Sequence, residues 1–396
     1  MAALPKQVAH AKRRAPGFAR ILEEVDPAKI RTRKALAALP VTRKSDLAAL
    51  QAAERPLGGL NATPVAKLGK LFMSPGPIYE PEGRGRDWWR TARALFAGGF
   101  REGDLVANTF AYHFTPAGSM LESGALALGC TVLPAGVGQT ELQVAAIRDL
   151  SVNGFIGTPS FLKLIVEKAD ELKADISSLA KAHVGAEYLP PALRQAMQAR
   201  GIRVTQSYGS ADLGSIAYES LAPDGSVVPG MFLDEGLLLE IVRPGTGDPV
   251  PEGEVGEVVV TTFNRDYPLI RFGTGDLSAV LPGKSPCGRT NTRIRGWMGR
   301  ADQSTKVRAM FVTPRQVADV LRRHSEVLKA RLVVEGEVGN DRMTLRCEVR
   351  SRPEGLASAI VASIRDLTKL RGEVELVDPG TLPNDGKVIE DARKYS

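Results

Sequence analysis

Short apolar runs alternate with amphipathic stretches through the middle of the chain. Gly154–Gly157 is an apolar run typical of a buried strand, and Pro159–Leu172 has the 3.6-residue period of a helix that starts with proline. A strand at 182–185, a helix at 190–200 and a strand at 202–206 follow. This order predicts a parallel or mixed sheet with helices packed on it.

Elements of the same two kinds are predicted before this central region. Residues 1–60 are polar and helical, while 104–109, 116–128 and 130–134 predict a strand, a helix and a strand. An amphipathic helix is expected to open at 87–90. Its apolar face would carry Trp88, Trp89, Ala92, Leu95 and Phe96.

The kinds of predicted elements change towards the C-terminus. Short strands follow residue 232, and residues beyond 302 form a compact pattern of their own, with helices at 314–324 and 354–370. The strands predicted there lie at 329–334, 342–350 and Glu373–Val377. Because 396 residues exceed what one core usually organises, we predict an N-terminal domain (1–298), a linker (299–302) and a C-terminal domain (303–396) of ferredoxin-like βαββαβ order.

Composition narrows the class of protein. With 43% hydrophobic residues, 24% charged residues and no apolar run of 18, the chain is expected to be globular and not to span a membrane. Three widely spaced cysteines, and a start without a signal-peptide core, favour the cytoplasm. The net charge of +7 is scattered, which favours a solvated basic face or an anionic substrate over nucleic acid.

Polar segments follow the predicted strands, where ligands of such sheets bind. They lie at 158–160, 185–188 and 207–212. Asp276 ends a Gly-Thr-Gly-Asp turn after an apolar run, and the two oxygens of a carboxylate match the two hydroxyls of a sugar diol. Arg300 lies in a glycine-led linker before the change in the kinds of predicted elements. Together these residues indicate a nucleotide clamp beside a domain boundary.

These segments, in this order, resemble the phenylacetate–CoA ligase branch of the acyl-adenylate-forming superfamily. The residues that carry the resemblance are Leu-Pro-Val-Thr-Arg-Lys-Ser-Asp-Leu at 39–47, Gly-Ala-Glu at 185–187, Tyr-Gly at 208–209, Pro-Leu-Ile-Arg at 268–271, Thr-Gly-Asp at 274–276, Gly-Arg-Ala-Asp at 299–302, Leu-Pro at 382–383 and Gly-Lys at 386–387. The resemblance implies an α/β fold: a large N-terminal domain of mixed sheets with packed helices, and a small α+β C-terminal domain that rotates on a hinge. It also implies that ATP and a carboxylic acid give an acyl-adenylate, from which CoA takes the acyl group.

The resemblance assigns roles residue by residue. Asp276 would bind the ribose and Arg300 the ribose or α-phosphate, while Lys387 would bridge the substrate carboxylate and the α-phosphate. Asp302 corresponds to the hinge, with a plain linker aspartate as the alternative. The residues that would form the adenine slot are Gly185, Ala186, Glu187, Tyr208 and Gly209; for Tyr208 a core position is the alternative.

Other assignments leave two interpretations open. Asp212 stands where the family has a glutamate near Mg²⁺, but Ala211 lacks the usual hydroxyl. His113 would hydrogen-bond the acid or serve structure alone. The aromatic residues of 110–114 and the glycine-rich 136–138 favour an aryl or medium apolar acid, or else belong to the core. Ser285 replaces a relative's cysteine, so no structural zinc is expected at Cys287.

The segment 74–81 departs from the family. Relatives carry a Ser/Thr/Gly-rich phosphate loop that ends in lysine, whereas this chain has two prolines within 74–80 and Glu80 in place of the lysine. Ala309 likewise replaces the glycine of an Arg-Gly loop that lines the thiol channel in relatives. Two functions therefore stay open: an ATP-dependent acid–CoA ligase, and a homologue without ATP activation that binds ligand or transfers a preformed acyl group. A homodimer is kept open as the assembly.

Overall fold

The computed structural model describes residues 1–74, 77–301, 303–308, 310–337, 340–383 and 387–393. Contacts divide the chain into two compact units, which we call the N-terminal unit (Met1–Met298) and the C-terminal unit (Gly299–Ser396). The predicted hinge residue Asp302, together with Ala309 and Gly386, lies outside the described residues.

The elements of the described residues are numbered along the chain. The helices are α1 (Leu4–Arg14), α2 (Pro16–Ile21), α3 (Arg33–Ala37), α4 (Leu47–Ala53), α5 (Ala92–Ala97), α6 (Ala117–Leu128), α7 (Thr140–Asp149), α8 (Pro159–Leu172), α9 (Pro191–Ala199), α10 (Pro314–Arg323) and α11 (Leu356–Thr368). The strands are β1 (Thr42–Arg43), β2 (Lys70–Ser74), β3 (Ile78–Glu82), β4 (Leu105–Asn108), β5 (Thr131–Pro134), β6 (Gly154–Gly157), β7 (Lys181–Val184), β8 (Arg203–Ser210), β9 (Gly214–Tyr218), β10 (Met231–Leu233), β11 (Leu237–Val242), β12 (Gly256–Thr262), β13 (Phe272–Ser278), β14 (Val280–Leu281), β15 (Arg293–Ile294), β16 (Thr305–Val307), β17 (Met310–Val312), β18 (Val327–Glu337), β19 (Asn340–Val349), β20 (Glu373–Val377) and β21 (Ile389–Asp391).

A nine-stranded mixed sheet organises the N-terminal unit. Its order is β14-β15-β10-β9-β8-β7-β6-β4-β5. Strands β5, β4, β6, β7 and β8 are parallel, and the pairing becomes antiparallel from β9 onwards. The predicted α/β fold with mixed sheets and packed helices is therefore confirmed.

Local sequence explains why the central elements form where they do. The Thr158 hydroxyl accepts a hydrogen bond from the Phe161 amide, and Pro159 occupies the first turn of α8, where its missing N–H leaves no helix hydrogen bond unmade. The apolar face of α8, which includes Leu162 and Ile165, is buried in the core shared with β6 and β7. Gly201 follows α9 at φ +81, a conformation that favours glycine.

An amphipathic helix was predicted to begin at 87–90, and this predicted start is wrong. Helix α5 begins at Ala92, and Trp88 and Trp89 precede it. Asp87 and Arg90 have φ values of 49 and 63, which an α-helix excludes. The Asp87 carboxylate instead accepts from the amide of Thr91 at 2.8 Å and from that of Ala92, the first residue of α5, at 3.1 Å.

A second sheet, of order β1-β13-β12-β11, joins the N-terminal segment to residues more than 200 positions later. Arg271 lies at the start of β13 with 2% of its surface exposed. Its guanidinium donates to the Glu240 carboxylate at 3.0 Å, to the carbonyl oxygens of Ala37 and Leu39, and to that of Gly247. This buried cation ties the β11 edge of the sheet to the N-terminal segment.

The C-terminal unit has its own core and a four-stranded sheet of order β20-β19-β18-β21. The predicted succession of helix, two strands, helix and strand is present, but the ferredoxin-like order is wrong. The strand before α10 pairs with β16 in a separate hairpin, and β21 takes the place beside β18. Parallel pairing with β21 satisfies the backbone groups of β18 on the side away from β19.

Candidate nucleotide-binding site

The ends of three neighbouring strands meet at one edge of the large sheet. Because β6, β7 and β8 are parallel and adjacent, the segments 158–160 and 185–188 leave the sheet side by side, next to 207–212. The Gly185 amide donates to the Gly157 carbonyl at 3.1 Å, and the Ser160 amide donates to the Glu187 carboxylate at 3.3 Å. Ala186 has φ +66, so this segment is tightly bent where the adenine slot is predicted.

The third segment is not a loop as predicted. Strand β8 extends to Ser210 and turns back into β9, with a register shift between Tyr208 and Gly209. A Cβ on Gly209 would lie 2.6 Å from the Gly214 carbonyl oxygen, so only glycine fits this close pairing. Tyr208 is 7% exposed and packs in the core cluster of this unit.

Asp276 lies within strand β13 and not at the end of a turn, so the predicted turn is wrong. Two aromatic side chains donate to its carboxylate. The Tyr208 hydroxyl donates to Oδ2 at 2.8 Å, and Trp297 Nε1 donates to Oδ1 at 3.1 Å. Each carboxylate oxygen can accept more than one hydrogen bond, and a diol would need one acceptor on each oxygen. Trp297 was not predicted as a site residue, and its position just before the linker (299–302) was the sequence signal that placed it near Asp276.

A buried ion pair lies next to this clamp in the fold. Lys44 forms a salt bridge with Asp212, whose side chain is fully buried, while the Lys44 side chain is 22% exposed. Burial lowers the pKa of Lys44, but the Asp212 carboxylate, with smaller contributions from Glu80 and Asp276, raises it overall. Lys44 belonged to the 39–47 segment that carried the resemblance, yet we assigned it no role.

Asp212 fits a cation in one respect. Its Oδ2 contacts Lys44, whereas its Oδ1 is buried and has no hydrogen-bond partner among the described residues. Carboxylate oxygen is the ligand type that Mg²⁺ prefers. Within the described part of the chain, however, no group of three or more His, Cys, Asp or Glu residues could hold a metal by itself.

Residues 78–81 of the segment 74–81 lie on strand β3 and pair with β2, so this part of the segment is not an open loop. Ser74 ends β2 and pairs with Ile78, the first residue of β3. Glu80 lies on β3 with none of its surface exposed, and its carboxylate accepts from both the amide (3.1 Å) and the hydroxyl of Ser74. Burial, and then the nearby charge of Asp212, raise the pKa of Glu80 to about 7. Glu80 therefore occupies the two donors of Ser74 that an incoming phosphate could use.

The aromatic segment after β4 divides between core and surface. Phe110 is buried, and the Tyr112 hydroxyl accepts from Asn108 at 2.8 Å. Phe114 is 70% exposed at φ +61, and His113 beside it is exposed. The structure thus assigns Phe110 to the core, whereas His113 and Phe114 lie at the surface beyond the sheet edge.

The remaining predicted residues belong to the C-terminal unit. Arg300 lies at its start, and Lys387 is exposed just before β21. Strands β16 and β17 form a hairpin whose turn contains Arg308, at φ +45. The roles of Arg300 and Lys387 stay predictions.

No helix among the described residues has the length and apolar content that crossing a bilayer requires. A model of the AMP-binding enzyme family matches residues 86–264. The solved structure of 2-hydroxyisobutyryl-CoA ligase in complex with 2-HIB-AMP and CoA superposes with a TM-score of 0.82 at 23% identity, covering 100% of this chain and 90% of that chain. This likeness shows a shared fold.

Curated relatives are similar along most of their length. Phenylacetate-coenzyme A ligase of Thermus thermophilus is 31% identical, with 96% of this chain and 92% of the relative covered. The enzyme of the same name from Escherichia coli is 30% identical, with 82% of this chain and 79% of the relative covered. The chain belongs to the phenylacetate–coenzyme A ligase family of AMP-forming acid–CoA ligases.

Proposed function

We propose that this protein is an ATP-dependent acid–CoA ligase that activates an aryl or related carboxylic acid. In the first half-reaction an oxygen of the acid attacks the α-phosphorus of ATP, a P–O bond forms, and pyrophosphate leaves. In the second, the CoA sulfur attacks the acyl carbon, the C–S bond forms, and AMP leaves. Membership of the family and the Asp276 clamp support this function together.

The clamp is the observation that carries the nucleotide part of the proposal. Two side-chain donors fix the Asp276 carboxylate from two directions, at 2.8 and 3.1 Å. A carboxylate so oriented is ready for a ribose diol, because little rotamer freedom is left to lose on binding. Segments 185–187 and Tyr208 lie at the neighbouring strand ends, where adenine would be bound.

The far end of the nucleotide would meet Lys44 and Asp212. Lys44 offers a cation to phosphate oxygens, and Asp212 Oδ1 would hold Mg²⁺, which neutralises phosphate charge when bound. Lys387 is proposed to stabilise charge at the α-phosphorus. Arg300 is proposed to bind the ribose or α-phosphate, and His113 the substrate carboxylate. The turn at Arg308 is proposed to border the CoA thiol.

Glu80 favours the second candidate function. Its carboxylate already accepts from the amide and the hydroxyl of Ser74, and in its ionised form it would repel a phosphate at this place. A homologue that binds ligand, or that transfers a preformed activated acyl group, would not need those donors. This candidate predicts tight binding of an acyl-adenylate analogue without any activation of the free acid.

ATP–pyrophosphate exchange over a panel of aryl and short-chain acids separates the two functions. The ligase is expected to exchange with at least one acid, and Lys387→Ala is expected to abolish this exchange. Lys369→Ala is the matched control, since Lys369 is a 70% exposed lysine of the same unit. Absence of exchange with every acid, combined with tight binding of a non-hydrolysable acyl-adenylate, would establish the second candidate instead.

A further inference from the structure

We propose that Asp341 and Arg393 are positioning residues for transfer of the acyl group to CoA, because they hold the turn of the β16–β17 hairpin in place. The inference rests on the proposed function, in which the turn at Arg308 borders the thiol. Neither residue belongs to any segment that carried the family resemblance. Their role follows from the contacts within the C-terminal unit.

Asp341 holds the turn directly. Strand β16 pairs with β17 through Val307 and Met310, and Arg308 lies in the turn after β16. The Arg308 amide donates to Asp341 Oδ2 at 2.9 Å. Arg308 has φ +45, a left-handed conformation that a residue with a Cβ adopts only when its surroundings hold it there. Asp341 is 7% exposed at the start of β19, so this hydrogen bond is shielded from water.

Arg393 holds Asp341 and the hairpin together. Its Nη1 donates to Asp341 Oδ1 at 3.1 Å and to the Lys306 carbonyl at 2.8 Å, and its Nη2 donates to the Thr305 hydroxyl at 3.1 Å. It also pairs with Asp391, which accepts from the same Thr305 hydroxyl at 2.9 Å. The Arg393 side chain is only 10% exposed.

Asp341 and Arg393 together form what we call the turn clamp, because they fix the position of the turn after β16. A guanidinium is a rigid planar fork, so its bonds to β16 and to Asp341 fix the distance between the hairpin and β19. Arg308 itself is exposed at the tip. A side chain or backbone group displaced by about 1 Å can slow a reaction by about a hundredfold. The turn clamp (Asp341 and Arg393) therefore affects the transfer step through the position of the turn, without itself contacting CoA.

The two half-reactions, measured separately, test the inference. Asp341→Ala should slow release of AMP from isolated acyl-adenylate on addition of CoA by about tenfold to a hundredfold, while ATP–pyrophosphate exchange is retained. Asp341→Asn keeps the volume and one acceptor, and should lie between the wild type and the alanine variant. Asp366→Ala, which removes an exposed partner of Arg323 in the same unit, should change neither rate.

Limited proteolysis gives a readout that does not depend on activity. Trypsin should cleave after Arg308 faster in both Asp341 variants than in the wild type, because the turn opens locally more often. Unchanged cleavage, or an equal fall in both half-reactions in a folded variant, would overturn the inference. If the wild type shows no ATP–pyrophosphate exchange, the proposed function is rejected. The cleavage rates would still decide whether Asp341 and Arg393 hold the turn.

Discussion

Replacing Glu80 with glutamine removes a buried charge and should stabilise the protein at high pH. Burial and Asp212 raise the pKa of Glu80 from its ordinary 4.5 to about 7. At about 1.4 kcal/mol per pKa unit, this difference corresponds to about 3 kcal/mol. Because the native state binds more protons between these two values, the free energy of unfolding falls as pH rises through that window. The contribution of the neutral carboxyl is fully present below the ordinary pKa.

Urea denaturation of the wild type and Glu80→Gln at several pH values measures this effect. At about pH 8 the variant should gain up to about 3 kcal/mol relative to its difference from the wild type at about pH 4.5. Glu167→Gln, on an exposed position of α8, is the control for loss of one negative charge. A stability difference that is the same at both pH values would refute the reasoning.

The same variant connects the buried charge to nucleotide binding. Glutamine keeps an oxygen for the Ser74 donors but no longer repels phosphate. If ATP enters this site, the KM for ATP in the exchange reaction should fall in Glu80→Gln. An unchanged KM would show that phosphate does not approach the Ser74 donors.

Two further predictions concern stability. Arg271→Leu leaves Glu240 buried without its 3.0 Å partner and should lower the free energy of unfolding of the N-terminal unit by about 3–5 kcal/mol. Arg342→Leu, the control, removes an exposed partner of Glu335 and should cost less than about 1 kcal/mol. Thermal or urea denaturation measures both effects. His183 is neutral and buried, and burial lowers its pKa from 6.5 to about 4. Since the unfolded chain binds the proton first, the free energy of unfolding should fall as pH drops from 6.5 towards 4, by up to about 3 kcal/mol, and this slope should be reduced in His183→Gln.

Elements defined by local signals were predictable from the sequence. Helix α8 follows from Pro159, a capping threonine and an apolar period, all within a few residues. The order of strands at the site edge followed from the same alternation. The start of α5 was missed because Asp87 and Arg90 adopt positive φ values, which are uncommon for any residue except glycine.

Partners that lie far apart in sequence were not predictable. Lys44 and Asp212 are separated by 168 positions, so no local pattern joins them. Glu80 is buried where β3 pairs with β2, the strand that ends at Ser74. The two prolines of 74–80 had instead predicted a loop at this place. Asp276 was recognisable from the Gly-Thr-Gly-Asp sequence, although this segment is part of β13 and not a turn. The two donors that orient its carboxylate, Tyr208 and Trp297, come from other parts of the chain.

The links made by Arg271 also set the order in which the chain folds during synthesis. Its guanidinium bonds to Ala37, which is 234 positions earlier, and Gln7 donates to the Thr262 carbonyl, which is 255 positions later. At about 5–20 residues per second, the ribosome needs roughly 10–50 s to make the intervening chain. During that time the apolar faces of α1 and α2, including Phe18, have no sheet to cover them. Helices α1 and α2 are therefore made well before the strands that cover them, and their apolar faces become buried only after β13 has been made.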